Sequence, residues 1–224
     1  MSTPSTRSPI VAPSANTPTI NSQSTVDITL FEHIIDDLAT KGWSQQDSFI
    51  PSTLCQQLAK ECMCRAQHGQ LAPAGVGRGV AKTVHENIRG DHIQWLEAGQ
   101  HGAVDQYLNL MDELRLSMNQ GLFLGLEDFE SHFALYPSGT FYKKHLDRFR
   151  DDDRRTVSSV TYLNEDWKAE HGGELRMYLD EGYVHDVIPQ AGTLILFMSA
   201  QWPHEVLPAT RDRLSVTGWF RRRG

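Results

Sequence analysis

The sequence His-Leu-Asp at residues 145–147 places an imidazole and a carboxylate two positions apart. On a β-strand, residues two positions apart project from the same face, so His145 and Asp147 could converge on one metal ion. The three aspartates at 151–153 are balanced by neighbouring arginines and are predicted to form a solvated turn. Because a His-x-Asp pair alone is more often a surface pair, a metal site needs a third ligand.

Near the end of the chain, His204 supplies a possible third metal ligand, and Arg213 supplies a positively charged group. Two imidazoles and one carboxylate on one face of an octahedral metal leave three open positions, as in the non-haem Fe(II) oxygenases. Arg213 suits the far carboxylate of a dicarboxylic cosubstrate, because a guanidinium binds a carboxylate through two parallel hydrogen bonds. A strand neighbouring His204 is expected to carry Arg213. Three other histidines, His132, His171 and His185, lack such partners and are predicted to be structural or exposed.

Two zones of different composition precede these residues. Residues 1–26 are rich in Ser, Thr and Pro without periodicity, which predicts a disordered tail. From 27 to 127 the pattern is helical, with Phe31, Ile34 and Leu38 on one face of a helix that ends at Gly42. Two more helices are predicted, one from about residue 52 and one that carries Val104 and its helically spaced apolar neighbours. These helices are expected to pack outside the part of the chain that carries the metal ligands.

From about residue 128 to 222 the hydrophobic period changes from the helical one to two. Runs such as "FESHFALY", "TVSSVTYLN" and "GTLILFMS" are rich in β-formers and are separated by turn residues. Seven or eight short strands in this length predict a sandwich or barrel. The fold class is therefore α+β, with a single domain over 27–224 that combines the helical part with a β core.

Composition excludes several classes of function. The chain of 224 residues has a formal net charge of −7, and a basic cluster occurs only at the terminal "FRRRG", so a nucleic-acid partner is not expected. No run of apolar residues is long enough for a membrane span. Cys55, Cys62 and Cys64 are expected to be buried thiols on one helix, which indicates a reducing compartment and a cytoplasmic protein. The glycine-rich sequence at 75–83 lacks the Gly-Lys-Ser/Thr of a phosphate loop and is predicted to be a flexible loop.

Several sequence motifs, in order, resemble those of a known family. They are "IRGDHIQWL" at 88–96, "YPSGTFYKKHLD" at 136–147, "TYLNEDW" at 161–167, "HGGELRMY" at 171–178, "HEVLP" at 204–208 and "RLSVTGW" at 213–219. The family is that of the 2-oxoglutarate- and Fe(II)-dependent dioxygenases, and the chain is most similar to prolyl hydroxylases of the hypoxia-inducible-factor type and their bacterial relatives. The resemblance covers about residues 30–222 and implies a double-stranded β-helix, or jelly-roll, core.

The resemblance also implies roles for individual residues. The iron ligands would be His145, Asp147 and His204. The 2-oxoglutarate pocket would contain Arg213, Tyr162, Tyr136 and Thr217, and Trp219 would pack against the metal centre. The residues near the substrate would be Arg155, Arg89 and Asp91. The implied cofactors are Fe(2+), 2-oxoglutarate and O₂, with L-ascorbate to rescue oxidised iron. The implied reaction hydroxylates a prolyl residue of a protein or peptide and releases succinate and CO₂.

Three other interpretations remain open at this point. An oxygenase that acts on a free small molecule would share every iron and cosubstrate residue. A non-catalytic β-barrel that senses metal or oxygen would have no use for Arg213, and zinc hydrolases seldom pair their metal with a carboxylate clamp. The loop at 68–87 and the charged connection after Asp147 depart from the animal enzymes, which leaves the substrate open. The sequence does not set the oligomeric state.

Overall fold

A computed structural model describes residues 22–75, 87–148 and 153–223, with side chains from residue 29 onward. Most of the predicted tail and most of the glycine-rich sequence at 75–83 lie outside the described residues. The first helix begins at Ser22, so its first turn falls inside the segment 1–26 that the sequence predicts as a tail.

The three predicted helices are present: α1 (Ser22–Lys41), α2 (Ser52–Gln67) and α3 (Ala103–Leu122). Their apolar stripes face a shared core, and Ile34 of α1, Leu58 of α2 and Met111 of α3 are fully buried there. The expectation for the cysteines is only partly correct. Cys55 and Cys62 are buried on α2, but Cys64 is exposed, because it lies off the buried face of that helix.

Three short strands interrupt the segment that was predicted to be helical. They are β1 (Trp43–Gln46), β2 (Ala72–Pro73) and β3 (His92–Trp95). Strand β1 pairs with a strand of the β core, and β3 pairs with another. Strands of two to four residues are too short to show a period of two, so their tertiary pairing, and not a local pattern, determines them.

In the part of the chain that the structure describes, eight strands follow α3, in agreement with the seven or eight predicted. They are β4 (Leu126–Tyr136), β5 (Tyr142–His145), β6 (Arg155–Tyr162), β7 (Leu175–Tyr178), β8 (Val184–Val187), β9 (Leu194–Met198), β10 (His204–Val206) and β11 (Arg213–Arg222). All strand pairs are antiparallel. They form a seven-stranded sheet of order β1-β9-β6-β11-β4-β3-β2 and a four-stranded sheet of order β5-β10-β7-β8.

The seven-stranded sheet separates two cores, and strand β11 shows how. Leu214, Val216 and Phe220 lie on one face, in the core that the helices cover. Arg213 and Thr217 alternate with them and therefore project from the opposite face, towards the four-stranded sheet. A second apolar core joins that face to the four-stranded sheet. The space between the two sheets is where the candidate ligands meet.

Candidate metal centre and cosubstrate pocket

His145, Asp147 and His204 form a compact group between the two sheets. His145 ends β5 and His204 begins β10, and the two residues are paired directly across the ladder. The Nε2 atom of His145 lies 3.6 Å from one oxygen of Asp147, Oδ1, and the Nε2 atom of His204 lies 3.7 Å from the other, Oδ2. Their ligand atoms all lie within 4.8 Å of one another, and among the described residues no other group of three His, Cys, Asp or Glu comes this close.

The backbone reaches this arrangement differently from the sequence expectation. Strand β5 ends at His145, so Asp147 lies in the following loop and not on the same strand face. Instead, the hydroxyl of Ser158 donates a hydrogen bond to Oδ2 of Asp147 at 2.6 Å. The N–H of Arg148 donates to the carbonyl oxygen of Ser199 at 3.3 Å, which fixes the loop against β9. The predicted pair is therefore close in space, but cross-strand contacts position the carboxylate.

Both imidazoles present the same nitrogen to the centre of the group. Nδ1 of His145 lies 2.7 Å from the carbonyl oxygen of Lys143, and Nδ1 of His204 lies 3.0 Å from that of Trp202. Because a carbonyl oxygen only accepts, each Nδ1 carries the hydrogen in the neutral ring, which leaves the lone pair on Nε2. The ring of Tyr142 stacks on His145 with 3.6 Å between centroids and restricts its rotation. Both histidines are thus oriented as Nε2 ligands.

The charges in this group suit a divalent cation. Burial lowers the pKa of His204, which favours its neutral, ligating form. Burial would raise the pKa of Asp147, but the imidazoles of His204 and His145 and the hydrogen bond from Ser158 hold that pKa well below its ordinary value. One anionic oxygen ligand and two neutral nitrogens on one side of a site form the donor set used by mononuclear Fe(II) oxygenases. The residues present therefore fit iron.

Arg213 lies deep between the sheets, with only 2% of its surface exposed. It begins β11 in the seven-stranded sheet, whereas His204 begins β10 in the four-stranded sheet. The expectation that neighbouring strands carry the two residues is wrong, because the two strands belong to different sheets. The guanidinium carbon of Arg213 lies 4.9 Å from the ring centroid of Tyr162 and 5.1 Å from that of Tyr136.

Two polar atoms in this pocket lack the partners that burial normally requires. Nε of Arg213 and the hydroxyl of Tyr162 have no hydrogen-bond partner among the described residues. An unsatisfied buried polar group costs about 1–3 kcal/mol, so such atoms point to a bound ligand. Burial raises the pKa of Tyr162, although nearby Arg213 opposes the shift, so the phenol is neutral and can donate. A carboxylate would satisfy both groups, and the pocket fits 2-oxoglutarate.

Gly173 allows the chain to pass close to Arg213. Its φ of +77° lies in the left-handed region that favours glycine. A Cβ at this position would lie 2.8 Å from Cβ of Ala209 and 3.4 Å from Cδ of Arg213. Any side chain at this position would therefore clash with Ala209, whereas glycine allows the backbone to pass in van der Waals contact with Arg213.

Two other predicted residues are Thr217, further along the same face of β11, and Arg155, which begins the neighbouring strand β6. Thr217 is partly exposed, and its hydroxyl lies 3.4 Å from that of Ser215. The guanidinium of Arg155 lies 3.5 Å from the ring centroid of Trp219, and its Nε donates to Glu130 at 2.9 Å. Arg155 therefore packs on Trp219, which lies on the same face of β11 as Arg213 and Thr217.

Arg89 and Asp91, predicted as substrate residues, bind one another. Two parallel hydrogen bonds of 2.7 and 2.5 Å join the guanidinium to the carboxylate, and Asp91 is only 2% exposed. The guanidinium of Arg89 also lies 4.4 Å from the ring centroid of Tyr142, the residue that stacks on His145. The pair therefore supports a layer of rings behind the metal ligand, and Asp91 is not free to bind another group.

The sequence interpretation missed Ser158 and Tyr142, which contact the metal ligands Asp147 and His145, and Ser199, which contacts Ser158. The alternation in "TVSSV" predicts that one of two adjacent serines faces inward, but it does not say which. Tyr142 is part of a strand motif that the sequence singles out, and its stacking on His145 depends on the local backbone. The three other histidines each have a hydrogen-bond partner outside the ligand group: His132 and His171 bind backbone groups nearby in sequence, and His185 binds the side chain of Gln45 on β1.

Comparison with known proteins identifies the family. The model of the 2OG-Fe(II) oxygenase superfamily matches residues 131–221, which include the three candidate ligands and Arg213. The chain is 32% identical over 202 residues to human prolyl hydroxylase EGLN3, covering 84% of this chain and 82% of the human protein. The chain belongs to the 2OG-Fe(II) oxygenase superfamily. It is also 31% identical to the hypoxia-inducible factor prolyl hydroxylase of Caenorhabditis elegans, although it spans only 28% of that longer protein.

Solved structures of family members agree with this assignment. A prolyl-4-hydroxylase of Pseudomonas putida is 60% identical and superposes with a TM-score of 0.81, covering 87% of this chain and 100% of that one. A prolyl hydroxylase of Trichoplax adhaerens, solved with a peptide fragment of the hypoxia-inducible factor oxygen degradation domain, is 28% identical with a TM-score of 0.81, covering 89% and 92%. The predicted double-stranded β-helix fold is confirmed. Over the described residues, none of the oxygenase's helices has the length and apolar character that a membrane span requires.

Proposed function

We propose that this member of the 2OG-Fe(II) oxygenase superfamily, as a single dioxygenase domain over 27–224, hydroxylates a prolyl residue in a protein or peptide. The observation that carries the oxygenase part is Arg213, a buried guanidinium with an unpartnered Nε in a barrel that also holds the His-Asp-His group. The prolyl part is supported by the 60% identity to the Pseudomonas putida prolyl-4-hydroxylase. The protein or peptide part is supported by the relative solved with a peptide.

In the proposed site, His145 and His204 would bind Fe(II) through Nε2 and Asp147 through its carboxylate. Bound iron, with 2-oxoglutarate and O₂, supplies an oxidative decarboxylation that yields succinate, CO₂ and a hydroxylated C–H position. Arg213 would hold the far carboxylate of 2-oxoglutarate by parallel hydrogen bonds, and Tyr162 would donate a third. These residues fix the orientation of the cosubstrate before any chemistry takes place.

The aromatic residues around the ligands would keep the centre dry and rigid. Phe197 meets the ring of His204 edge-on at 4.7 Å between centroids, and Tyr142 covers His145. Tyr136 and Thr217 would complete the cosubstrate pocket on the side of the seven-stranded sheet. A site that excludes water strengthens the pairing of Arg213 with a carboxylate, because the local dielectric constant is low.

Substrate contacts form the remaining part of the proposal. Arg155, which lies over Trp219 on the face of β11 that also carries Arg213, would meet the peptide. Arg89 and Asp91 would contribute indirectly, because the ion pair between them holds Tyr142 in place beside His145. An oxygenase for a free small molecule would share the iron and cosubstrate residues, so the two interpretations differ only in which molecule contacts Arg155 and its surroundings. A non-catalytic sensing barrel is disfavoured because it gives Arg213 no ligand.

L-Ascorbate is proposed as the reductant that returns oxidised iron to Fe(II), as in the family. A cytoplasmic location is supported by three free cysteines among the described residues, since a reducing compartment keeps thiols unpaired. The net charge of −7 opposes binding to nucleic acid. The expected partner is therefore a protein or peptide substrate.

Turnover is the direct test of the proposed function. The purified chain, supplied with Fe(II), 2-oxoglutarate, ascorbate and air, should release succinate faster when a proline-containing substrate peptide is added. Mass spectrometry should find one added oxygen atom on that peptide, located at proline by fragmentation. A peptide with alanine in place of the proline is the matched control and should remain unmodified. Oxidation of free small molecules, with no peptide in a proline-rich panel modified, would favour the small-molecule interpretation.

Replacing Tyr162 with phenylalanine should weaken 2-oxoglutarate binding by roughly 5- to 15-fold, the value of one hydrogen bond of about 1–1.5 kcal/mol. The reason is that its hydroxyl, otherwise unpartnered, would donate to the cosubstrate carboxylate. Calorimetry on the Mn(II)-loaded protein measures the change. Tyr178→Phe is the control, since that hydroxyl binds Glu205 on the four-stranded sheet, and its affinity should be unchanged. Equal affinities for the Tyr162 variant and the unmodified protein would remove this residue from the pocket.

A further inference from the structure

Two buried serines lie behind the metal-ligand group. Ser158, on β6, is 1% exposed, and Ser199, one residue beyond the end of β9, is fully buried. The hydroxyl oxygen of Ser158 lies 2.6 Å from Oδ2 of Asp147 and 2.8 Å from the hydroxyl oxygen of Ser199. The three side chains form one continuous chain of hydrogen bonds that ends at the candidate metal ligand.

The direction of this chain follows from what each group can do. An ionised carboxylate only accepts hydrogen bonds, so the Ser158 hydroxyl donates its single hydrogen to Asp147. Ser158 can then only accept from Ser199, so the Ser199 hydroxyl donates to it. The polarity runs from Ser199 through Ser158 to Asp147, and each bond strengthens the next.

Ser199 is itself fixed by the backbone. Its N–H donates to the carbonyl oxygen of Thr156 at 3.0 Å, and its carbonyl oxygen accepts the N–H of Arg148 at 3.3 Å. Ser199 thus binds β6 on one side and the loop that follows Asp147 on the other. The side chain of Asp147 is oriented by these contacts because its own backbone lies beyond the end of β5.

The contact with Ser158 also distinguishes the two carboxylate oxygens. Each oxygen faces one imidazole, Oδ1 that of His145 at 3.6 Å and Oδ2 that of His204 at 3.7 Å, but only Oδ2 also accepts the short hydrogen bond from Ser158. Carboxylates bind metals through one oxygen or through both. If both oxygens of Asp147 bound the metal, one of the three positions that the cosubstrates need would be lost.

We propose that Ser158, oriented by Ser199, is a positioning residue that holds Asp147 as a one-oxygen ligand and so keeps the remaining metal positions open. This inference rests on the proposed metal site of His145, Asp147 and His204. It concerns a residue outside the proposed ligand group, which would act through its hydrogen bond to Asp147.

Metal affinity measured without turnover tests the proposal. Replacement of Ser158 by alanine should weaken Mn(II) binding by about 10- to 100-fold, the usual effect of removing a hydrogen-bond partner of a metal ligand. Ser199→Ala should weaken it less, by about threefold, because the direct bond from Ser158 remains. Ser158→Thr keeps the hydroxyl and should restore most of the affinity. Titration followed by the electron paramagnetic resonance of free Mn(II) measures all three.

Ser159→Ala is the matched control. Ser159 is fully buried on the same strand, but as the next residue it projects from the opposite face, so its loss should leave Mn(II) affinity unchanged. Thermal unfolding of the metal-free variants verifies that each is folded. Affinity of the Ser158→Ala variant within threefold of the unmodified protein would overturn the proposal, and so would equal losses for the Ser158→Ala and Ser159→Ala variants.

A further variant, Asp147→Ala, separates this proposal from the metal site on which it rests. If Asp147→Ala abolishes Mn(II) binding while Ser158→Ala leaves it intact, the site is correct and only the role of Ser158 is wrong. If Asp147→Ala has no effect, the metal site itself is misassigned and the role of Ser158 is overturned with it.

Discussion

Replacing Asp147 with alanine should abolish Fe(II) binding, with a loss of affinity greater than about 100-fold, since even removal of a ligand's hydrogen-bond partner costs 10- to 100-fold. Asp147 is the only anion of the candidate ligand group, and its lowered pKa keeps it ionised. Two neutral imidazoles alone do not balance a divalent cation in a buried site. The measurement is an anaerobic titration with Fe(II) and 2-oxoglutarate. The visible charge-transfer band between 2-oxoglutarate and bound Fe(II) should appear in the unmodified protein and be absent from the variant.

Asp153→Ala is the control for this experiment. Asp153 lies in the same charged connection, where it pairs with Arg148 and Arg222, but its side chain is exposed and does not contact the ligands. An exposed ion pair contributes about 0–1 kcal/mol, so the band and the iron affinity should stay close to those of the unmodified protein. A persistent band in the Asp147 variant, or its loss in the Asp153 variant, would place the metal elsewhere.

The sequence predicted which residues meet at this centre better than how they meet. The spacing of His145 and Asp147 indicated a shared strand face, yet the strand ends at the histidine and a loop carries the aspartate. Chemical type determines which side chains can bind a metal, and this can be read from the sequence. Their convergence depends on hydrogen bonds from β6 and β9, which are distant in sequence.

Fold class followed from periodicity, and details that depend on tertiary pairing did not. The change from the helical period to two is a local property of the chain, so it predicted three helices and seven or eight later strands, and the described residues contain three helices and eight such strands. Strand β3 is four residues long and is defined by its pairing with β4, so no local pattern reveals it. Whether Ser158 or Ser159 faces Asp147 depends on a register of one residue, which alternation leaves undetermined.

The mutual pairing of Arg89 and Asp91 illustrates a different limit. Both are residue types that bind substrates, and a family motif placed them near the substrate loop. The structure pairs them with each other by two hydrogen bonds, so a role at the substrate has to pass through Tyr142. Charge alone could not distinguish a free guanidinium from one that is already bound.

Replacing Arg213 with alanine should weaken 2-oxoglutarate binding by about 100-fold or more. Each charge-assisted hydrogen bond contributes roughly 1.5–3 kcal/mol, and a guanidinium supplies two to a carboxylate. Metal affinity should survive, because Arg213 belongs to the seven-stranded sheet and lies outside the ligand group. Calorimetric titration of the Mn(II)-loaded protein with 2-oxoglutarate measures the loss.

Two control variants, Arg211→Ala and Arg213→Lys, test whether the loss of 2-oxoglutarate affinity is specific to the guanidinium of Arg213. Arg211 is exposed and lies over Trp167 with 5.0 Å to the ring centroid, outside the pocket, so its loss should change affinity by less than about threefold. Lysine keeps the positive charge in place of Arg213 but has no planar fork, so it should recover only part of the affinity. If Arg211→Ala weakens binding and Arg213→Ala does not, the wrong arginine has been assigned. If neither variant loses affinity, the buried guanidinium has another purpose and the 2-oxoglutarate pocket must lie elsewhere.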